Sequence, residues 1–196
     1  MRWAHANSIG IRRFGFGGAS GGGGGDPVID PPSTEIVSLP GSSATYDITT
    51  IDGVAIGNFT VVMGVLKDMA TTGSPTELGL RISDDGGTTF DTTSSFYTNF
   101  WVAGSEISNP ASDTKLLMHD GIAASGNELV FIIRDLGSAF PVTSLAGELN
   151  TVTANGKKSW RGYHAELLVV DAIQLVVTGG ASPTMSSGSL HLMGMR

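Results

Sequence analysis

The sequence contains no cysteine among its 196 residues. That excludes a disulfide scaffold, a thiolate metal site and a cysteine nucleophile. It also lacks any apolar run near the ~20 residues of a membrane span, the longest strictly aliphatic stretch being Leu167–Val170. Met1–Arg13 carries arginines but no apolar core, so no secretory signal is expected there. Helical periodicity is scarce, and no long-range repeat is visible. With 40% hydrophobic residues and a mean hydropathy of +0.14, this is not a disordered acidic chain. A chain of this length can bury roughly two-thirds of its unfolded surface.

What the sequence has in excess is glycine, 28 residues, and it is unevenly spread. Nine of the 28 lie within residues 1–25, which also hold Arg2, Arg12 and Arg13 and no acid. Residues 26–196 hold the other eight basic residues and all 18 acids, a net −10. Three parts follow. Residues 1–25 read as a basic, glycine-rich anchoring arm, aromatic-bearing up to Phe16 and then a flexible tether. Residues 26–34 form a proline-rich linker, stiffened because proline fixes its own φ and disfavours helix in the residue before it. Residues 35–196 form the folded body. In the arm, Trp3, Ile9, Ile11, Phe14 and Phe16 are the apolar anchors, while Arg2, Arg12 and Arg13 pair with acidic groups.

In the body, β-rich runs alternate with clusters of Gly, Asn, Asp, Ser and Pro. Expected strands cover 35–39, 44–49, 58–67, 77–83, 88–92, 96–102, 114–119, 128–134, 149–153, 159–165, 173–178 and 189–195. Leu78, Leu80 and Ile82 share one strand face, as do Leu129, Phe131 and Ile133. Only 110–119 and 166–174 could supply a helical turn or two. About ten strands with frequent turns predict an all-β fold, an antiparallel β-sandwich of the jelly-roll kind rather than an immunoglobulin-like one. The remaining 19 glycines are expected to serve its tight turns.

The densest polar cluster runs from Ser83 to Asp91 and matches S-x-D-x-G-x-T-aromatic through Ser83, Asp85, Gly87, Thr89 and Phe90. This is a hairpin-turn device, in which short polar side chains bond the turn backbone and glycine takes positive φ. Calcium ligation by Asp84, Asp85 and Asp91 is the competing reading, but the EF-hand spacing is absent. His164 and Glu166 are spaced for one strand face. A three-ligand metal site would then need His119 or His191 to converge, so no metal or other cofactor is expected.

No G-x-S-x-G elbow, P-loop or marked pair of carboxylates is present, which leaves no catalytic residues to name. Phe96, Tyr97, Phe100 and Trp101 could form a glycan-stacking or intersubunit face, against the plainer reading of core aromatics. Lys157, Lys158 and Arg161 make one short basic cluster on an acidic body, so no nucleic-acid partner is expected.

Several strings resemble tailed-bacteriophage virion structural proteins. They are Arg81–Phe90, Ile107–Ser112, Ile133–Ala139, Gly162-Tyr163 and the ending Gly188–Arg196, in this order across residues 77–196. Met193 and Met195 depart from the usual terminal pattern. The resemblance implies a non-enzymatic jelly-roll module of a tail fibre or tail tip, homotrimeric, on the virion exterior and docked to other virion proteins through its arm. A head-decoration protein and a host-glycan-binding module are the alternatives, and a glycan depolymerase is a third.

Overall fold

Along Asn127–Arg134, Leu129, Phe131 and Ile133 are buried, while Val130, Ile132 and Arg134 between them face outward. That two-residue period is what a strand with one face on a core requires, and it recurs through the chain. The computed structural model describes residues 31–75, 77–103, 106–107, 111–136, 142–150, 159–166 and 169–196. The expected arm, with Arg2, Trp3, Ile9, Ile11, Arg12, Arg13, Phe14 and Phe16, lies outside the described residues.

The described strands, in chain order, are β1 (Ser33–Ser38), β2 (Thr45–Ile48), β3 (Thr50–Ile51), β4 (Val54–Ala55), β5 (Val61–Thr72), β6 (Glu77–Ser83), β7 (Tyr97–Ala103) and β8 (Glu106–Ile107). They continue as β9 (Ala111–Asp113), β10 (Leu116–Asp120), β11 (Asn127–Arg134), β12 (Val142–Asn150), β13 (Ser159–His164), β14 (Ala172–Thr178) and β15 (Thr184–Met195). One 3-10 turn, Ile56–Asn58, follows β4. Among the described residues no helix is long and apolar enough to cross a membrane.

Every strand pairing is antiparallel. The long sheet runs β1-β15-β5-β11-β12-β13-β7-β8, with β9 also on β7, and the second sheet runs β10-β6-β14-β2. Eight strands carry the underlying plan: β1, β2, β5, β6, β10, β11, β14 and β15. Counted first to eighth, they order as 1-8-3-6 in one sheet and 2-7-4-5 in the other. That is the jelly roll, two sheets joined by Greek-key crossings. Strands β7 to β9, inserted before β10, and β12 and β13, inserted before β14, extend the long sheet on one side.

The core fills the space between the sheets. Val62, Leu66, Leu129, Phe131, Ile133, Leu190 and Leu192 come from the long sheet, and Leu78, Leu80, Ile82, Ile173, Leu175 and Val177 from the second. Four glycines inside strands serve this packing rather than turns. A Cβ on Gly64 would lie 2.1 Å from Cζ of Phe131, whose ring occupies that space. Gly194 accommodates the Phe59 ring in the same way, Gly79 the Lys115 stem, and Gly162 the Asn99 side chain. The expectation that the body's glycines serve turns is therefore corrected at these positions.

Other expectations also change. No strand forms over 88–92, because the polar groups of that loop are satisfied locally. β5 runs on to Thr72 through Asp68, which takes a positive φ of 51° at an irregularity in the ladder. β12 begins at Val142, well before the expected 149, held by partners on both sides; residues 151–153 lie outside the described set. β1 begins at Ser33, inside the expected linker. The described residues of 110–119 and 166–174 contain strands and no helix.

Candidate functional site

The Ser83–Asp91 cluster forms a closed loop at the end of β6. The Ser83 hydroxyl donates to Asp85 Oδ1 (2.7 Å) and accepts from the Gly87 N–H (3.0 Å). Asp85 accepts from the Thr89 N–H (2.9 Å) and the Thr89 hydroxyl (2.6 Å), and the Asp171 carboxylate accepts from the Gly86 N–H (2.9 Å). Gly86 and Gly87 take positive φ, 74° and 82°, which glycine adopts without steric cost. The half-buried Phe90 packs 3.5 Å from where a Gly87 Cβ would stand.

Bonds from the Thr89 hydroxyl and N–H, and from the Ser83 hydroxyl, hold the Asp85 carboxyl down to about 2. The chain returns once, through the Asp91 N–H to the Ile82 carbonyl (3.0 Å). It then crosses to the long sheet, since β6 and β7 lie in different sheets. The expected hairpin is thus a crossover loop: no strand follows to pair with β6.

Beyond the loop, three side chains from two segments converge. His164 closes β13 and is fully buried, and its Nε2 lies 2.7 Å from Asp91 Oδ2. The exposed Glu166 follows two residues later, and one donor atom each from Asp91, His164 and Glu166 all lie within 4.8 Å of one another. Burial alone would raise the Asp91 carboxyl, but the His164 ring and the Thr93 N–H and hydroxyl outweigh it and hold it below its ordinary value. Ring edges of Tyr97 and Phe96 meet the imidazole, with centroids 4.6 and 5.5 Å away. Asp91, Glu166, Asp84, Ser83, Thr89, Phe90 and Thr92 help line a cleft of about 400 Å³ beside it. His119, on β10, and His191, on β15, lie elsewhere in the fold. Sequence spacing pairs His164 with Glu166; the further partner is Asp91, which spacing does not connect to them.

The four clustered aromatics do not form one face. Tyr97 is fully buried; its hydroxyl donates to the Asp91 carbonyl (3.0 Å) and accepts from the Ile82 N–H (3.2 Å). Burial raises its phenol well above the ordinary value. Strand alternation then sets Phe100 on the opposite side from Tyr97, and Phe96 meets His164 edge-on. Trp101 stands opposite Trp160 in the β7–β13 register. The expectation of one glycan or intersubunit surface from these residues is corrected for Tyr97, because its ring belongs to the core.

A different surface is continuous. On the outer side of the long sheet, the register lines up Thr34, Met193, Met63 and Ile132 in one row and Ile36, His191, Val65 and Val130 in the next. Met195, Val61, Arg134, Thr143 and Tyr163 make a third. Ile36 is 71% exposed and Tyr163 41%. Over β1, β15 and β5 this face forms a groove of about 430 Å³ between Ile36, Met63, Val65, His191 and Met193. Lys67, Arg134 and Arg161 stand exposed at its margins. No protein-family model matches the sequence, and no curated protein is significantly similar to it.

Proposed function

We propose that this chain is a non-enzymatic structural module of a bacteriophage virion, a tail-fibre or tail-tip component. In this reading three copies associate through the outer face of the long sheet, and residues 1–25 dock onto neighbouring virion proteins on the particle exterior. The observation that carries the association is the aligned apolar face running from Ile36 to Ile132. An antiparallel sheet facing water ordinarily carries polar residues there, and contiguous exposed apolar patches mark interaction surfaces.

The occupant is a second copy of this chain. Three basic side chains fringe the face against one acid, Glu35, lining its groove, while residues 26–196 carry a net −10, so another copy is the electrostatic complement at hand. Two different surfaces meeting make a heterologous contact; where its rotation closes, it forms a ring, and three is the smallest such ring. From strand spacing the patch spans roughly 400 Å², about half the ~800 Å² each partner gives to a standard interface. The basic rim therefore has to take part.

Sedimentation velocity on the full chain tests this. A trimer is expected, converted to monomer by Val65→Glu with unchanged far-UV dichroism and weakened by raised salt or Arg134→Glu. A monomeric wild type, or a trimer indifferent to Val65→Glu, refutes the interface. So does a trimer lost only on deleting residues 1–25, which would make the arm the occupant. In parallel, chains lacking residues 1–25 are expected to fold but to fail to incorporate into particles, and normal incorporation would refute the docking role of the arm. Among the described residues, the buried core begins at Leu39, with the partly buried Val37 packed against it.

A further inference from the structure

We infer that Asp91, His164 and Glu166 form a binding site for a first-row divalent transition cation, with Zn²⁺ or Mn²⁺ as the fitting class. The three donor atoms lie within 4.8 Å of one another. Tetrahedral ligands about 2.0–2.2 Å from such an ion stand roughly 3.3–3.6 Å apart, so loading the site needs Glu166 to close in and the His164–Asp91 pair, 2.7 Å apart, to open around the ion. One imidazole and two carboxylates are a borderline donor set; Ca²⁺ and Mg²⁺ favour oxygen ligands alone.

The His164 ring is held in place. It is fully buried, wedged by the edges of Tyr97 and Phe96, and its Nε2 already addresses Asp91. Glu166 has no hydrogen-bond or ion-pair partner among the described residues. The adjoining cleft carries Asp84, Asp91 and Glu166 and no basic side chain among its described lining. Clustered carboxylates without a cation repel one another, and a divalent ion relieves that. The cleft also opens to solvent, leaving room for water in the remaining coordination positions.

One feature bounds the affinity. Ligating histidines ordinarily donate their second ring N–H to an acceptor, whereas His164 Nδ1 has none among the described residues. The geometry therefore points to moderate affinity and a structural task. The ion would clamp the 84–93 loop, which leaves the second sheet, to the end of β13 in the long sheet.

The test uses the full chain after exhaustive chelation, titrated with ZnCl₂ and separately with MnCl₂, CaCl₂ and MgCl₂ by calorimetry and thermal melting. One Zn²⁺ per chain is expected, with the melting temperature raised by about 5–10 °C at a hundredfold excess over Kd. Glu166→Gln is expected to weaken binding at least tenfold without lowering the metal-free melting temperature, since its side chain is exposed and its charge is repelled by its neighbours. His164→Gln is expected to abolish binding, and Co²⁺ loaded into the wild type is expected to give visible ligand-field bands that Glu166→Gln alters. Zn²⁺ uptake indifferent to Glu166→Gln overturns the assignment, as does uptake without a thermal shift. Calcium binding as tight as zinc would remove the role given to the imidazole.

Discussion

Gly64 stands in the first third of β5, directly opposite Phe131 on β11 and Leu192 on β15. A methyl group at Gly64 would lie 2.1, 2.3 and 2.8 Å from three atoms of the Phe131 ring, where carbon contacts need about 3.5–4.0 Å. The ring cannot yield freely, because it is 1% exposed and packed on both sides of the core. Gly64→Ala is therefore an overpacking substitution of the severe kind, expected to cost about 2–3 kcal/mol. That outweighs the fraction of a kilocalorie that alanine gains over glycine in strand backbone entropy. For a chain of this size each kilocalorie lowers the melting temperature by about 2–4 °C, so a fall of about 4–12 °C should be seen by calorimetry. Gly147 in β12 supplies the control: nothing lies within 4 Å of its would-be Cβ, and Gly147→Ala should stay within about 0.5 kcal/mol of wild type. A double variant, Gly64→Ala with Phe131→Leu, should recover part of the loss, because the two positions are coupled. Equal effects at Gly64 and Gly147 would refute the claim that the Phe131 ring requires a glycine beneath it.

Further substitutions probe the polar parts of the interior. Lys115 is 3% exposed, with Nζ 2.8 Å from Glu77 and 3.0 Å from Asp113, so Lys115→Met keeps the stem over Gly79 but strands two partly solvated carboxylates. A loss of about 1–2 kcal/mol in urea unfolding is expected, the solvent exposure of the acids discounting the full burial penalty. Asn99 donates to the Lys115 carbonyl and accepts from the Leu117 N–H, both at 2.8 Å. Asn99→Ala leaves two buried backbone groups unpaired and should cost about 2–4 kcal/mol, whereas an effect below half a kilocalorie would contradict this role. Asp85, held to about 2, has a folded value below its unfolded one, near 3.9. Its contribution is present above pH ~4 and is lost as pH falls from there toward ~2. Acid unfolding of Asp85→Asn should be less steep over that interval than in wild type, and identical profiles would refute the linkage.

Much of this architecture could be read from residue order. Leu78, Leu80 and Ile82 alternate cleanly, as do Leu129, Phe131 and Ile133, and both sets are buried as alternation demands. Asp52-Gly53 between Ile51 and Val54 is a two-residue hairpin signal that lies between the expected strands, which pass it over, with φ of 52° and 73° as a type I′ turn needs. β12 was not legible over its first half, because Ser144, Ala146 and Gly147 have little intrinsic strand preference and are held by β11 and β13. The aromatics 96–101 could not be divided without register, which sends Tyr97 inward and Phe100 outward. In the polar site, Ser83, Asp85 and Thr89 act within six residues of one another, so their spacing is visible. Asp91 and His164 are 73 residues apart and meet only because the crossover loop from β6 passes the end of β13.

The two halves of the sandwich hold together by different means, and that difference sets an order of unfolding. Where β1, β15, β5 and β11 cover β14 and β6, the inward residues are aliphatic or phenylalanine, such as Val62, Leu66, Phe131, Leu175 and Leu190. Where β12, β13 and β7 extend past them, the inward positions include Ser144, Gly162, Asn99 and His164. There β10 packs beneath the extension, and the junction is made by directional bonds: Asn99 to the backbone of β10, Tyr97 to Ile82, and His164 to Asp91. Apolar burial persists through small displacements because it has no direction, whereas a hydrogen bond is lost within a fraction of an ångström. The extension should therefore open as a unit before the jelly roll does. Native-state hydrogen exchange should find the amides of β13 and β7 exchanging through a sub-global opening, at lower free energy than those of β5, β14 and β15. Asn99→Ala should lower protection in β13 and β7 more than in β5, whereas uniform protection across both halves would mean the sandwich opens as one body.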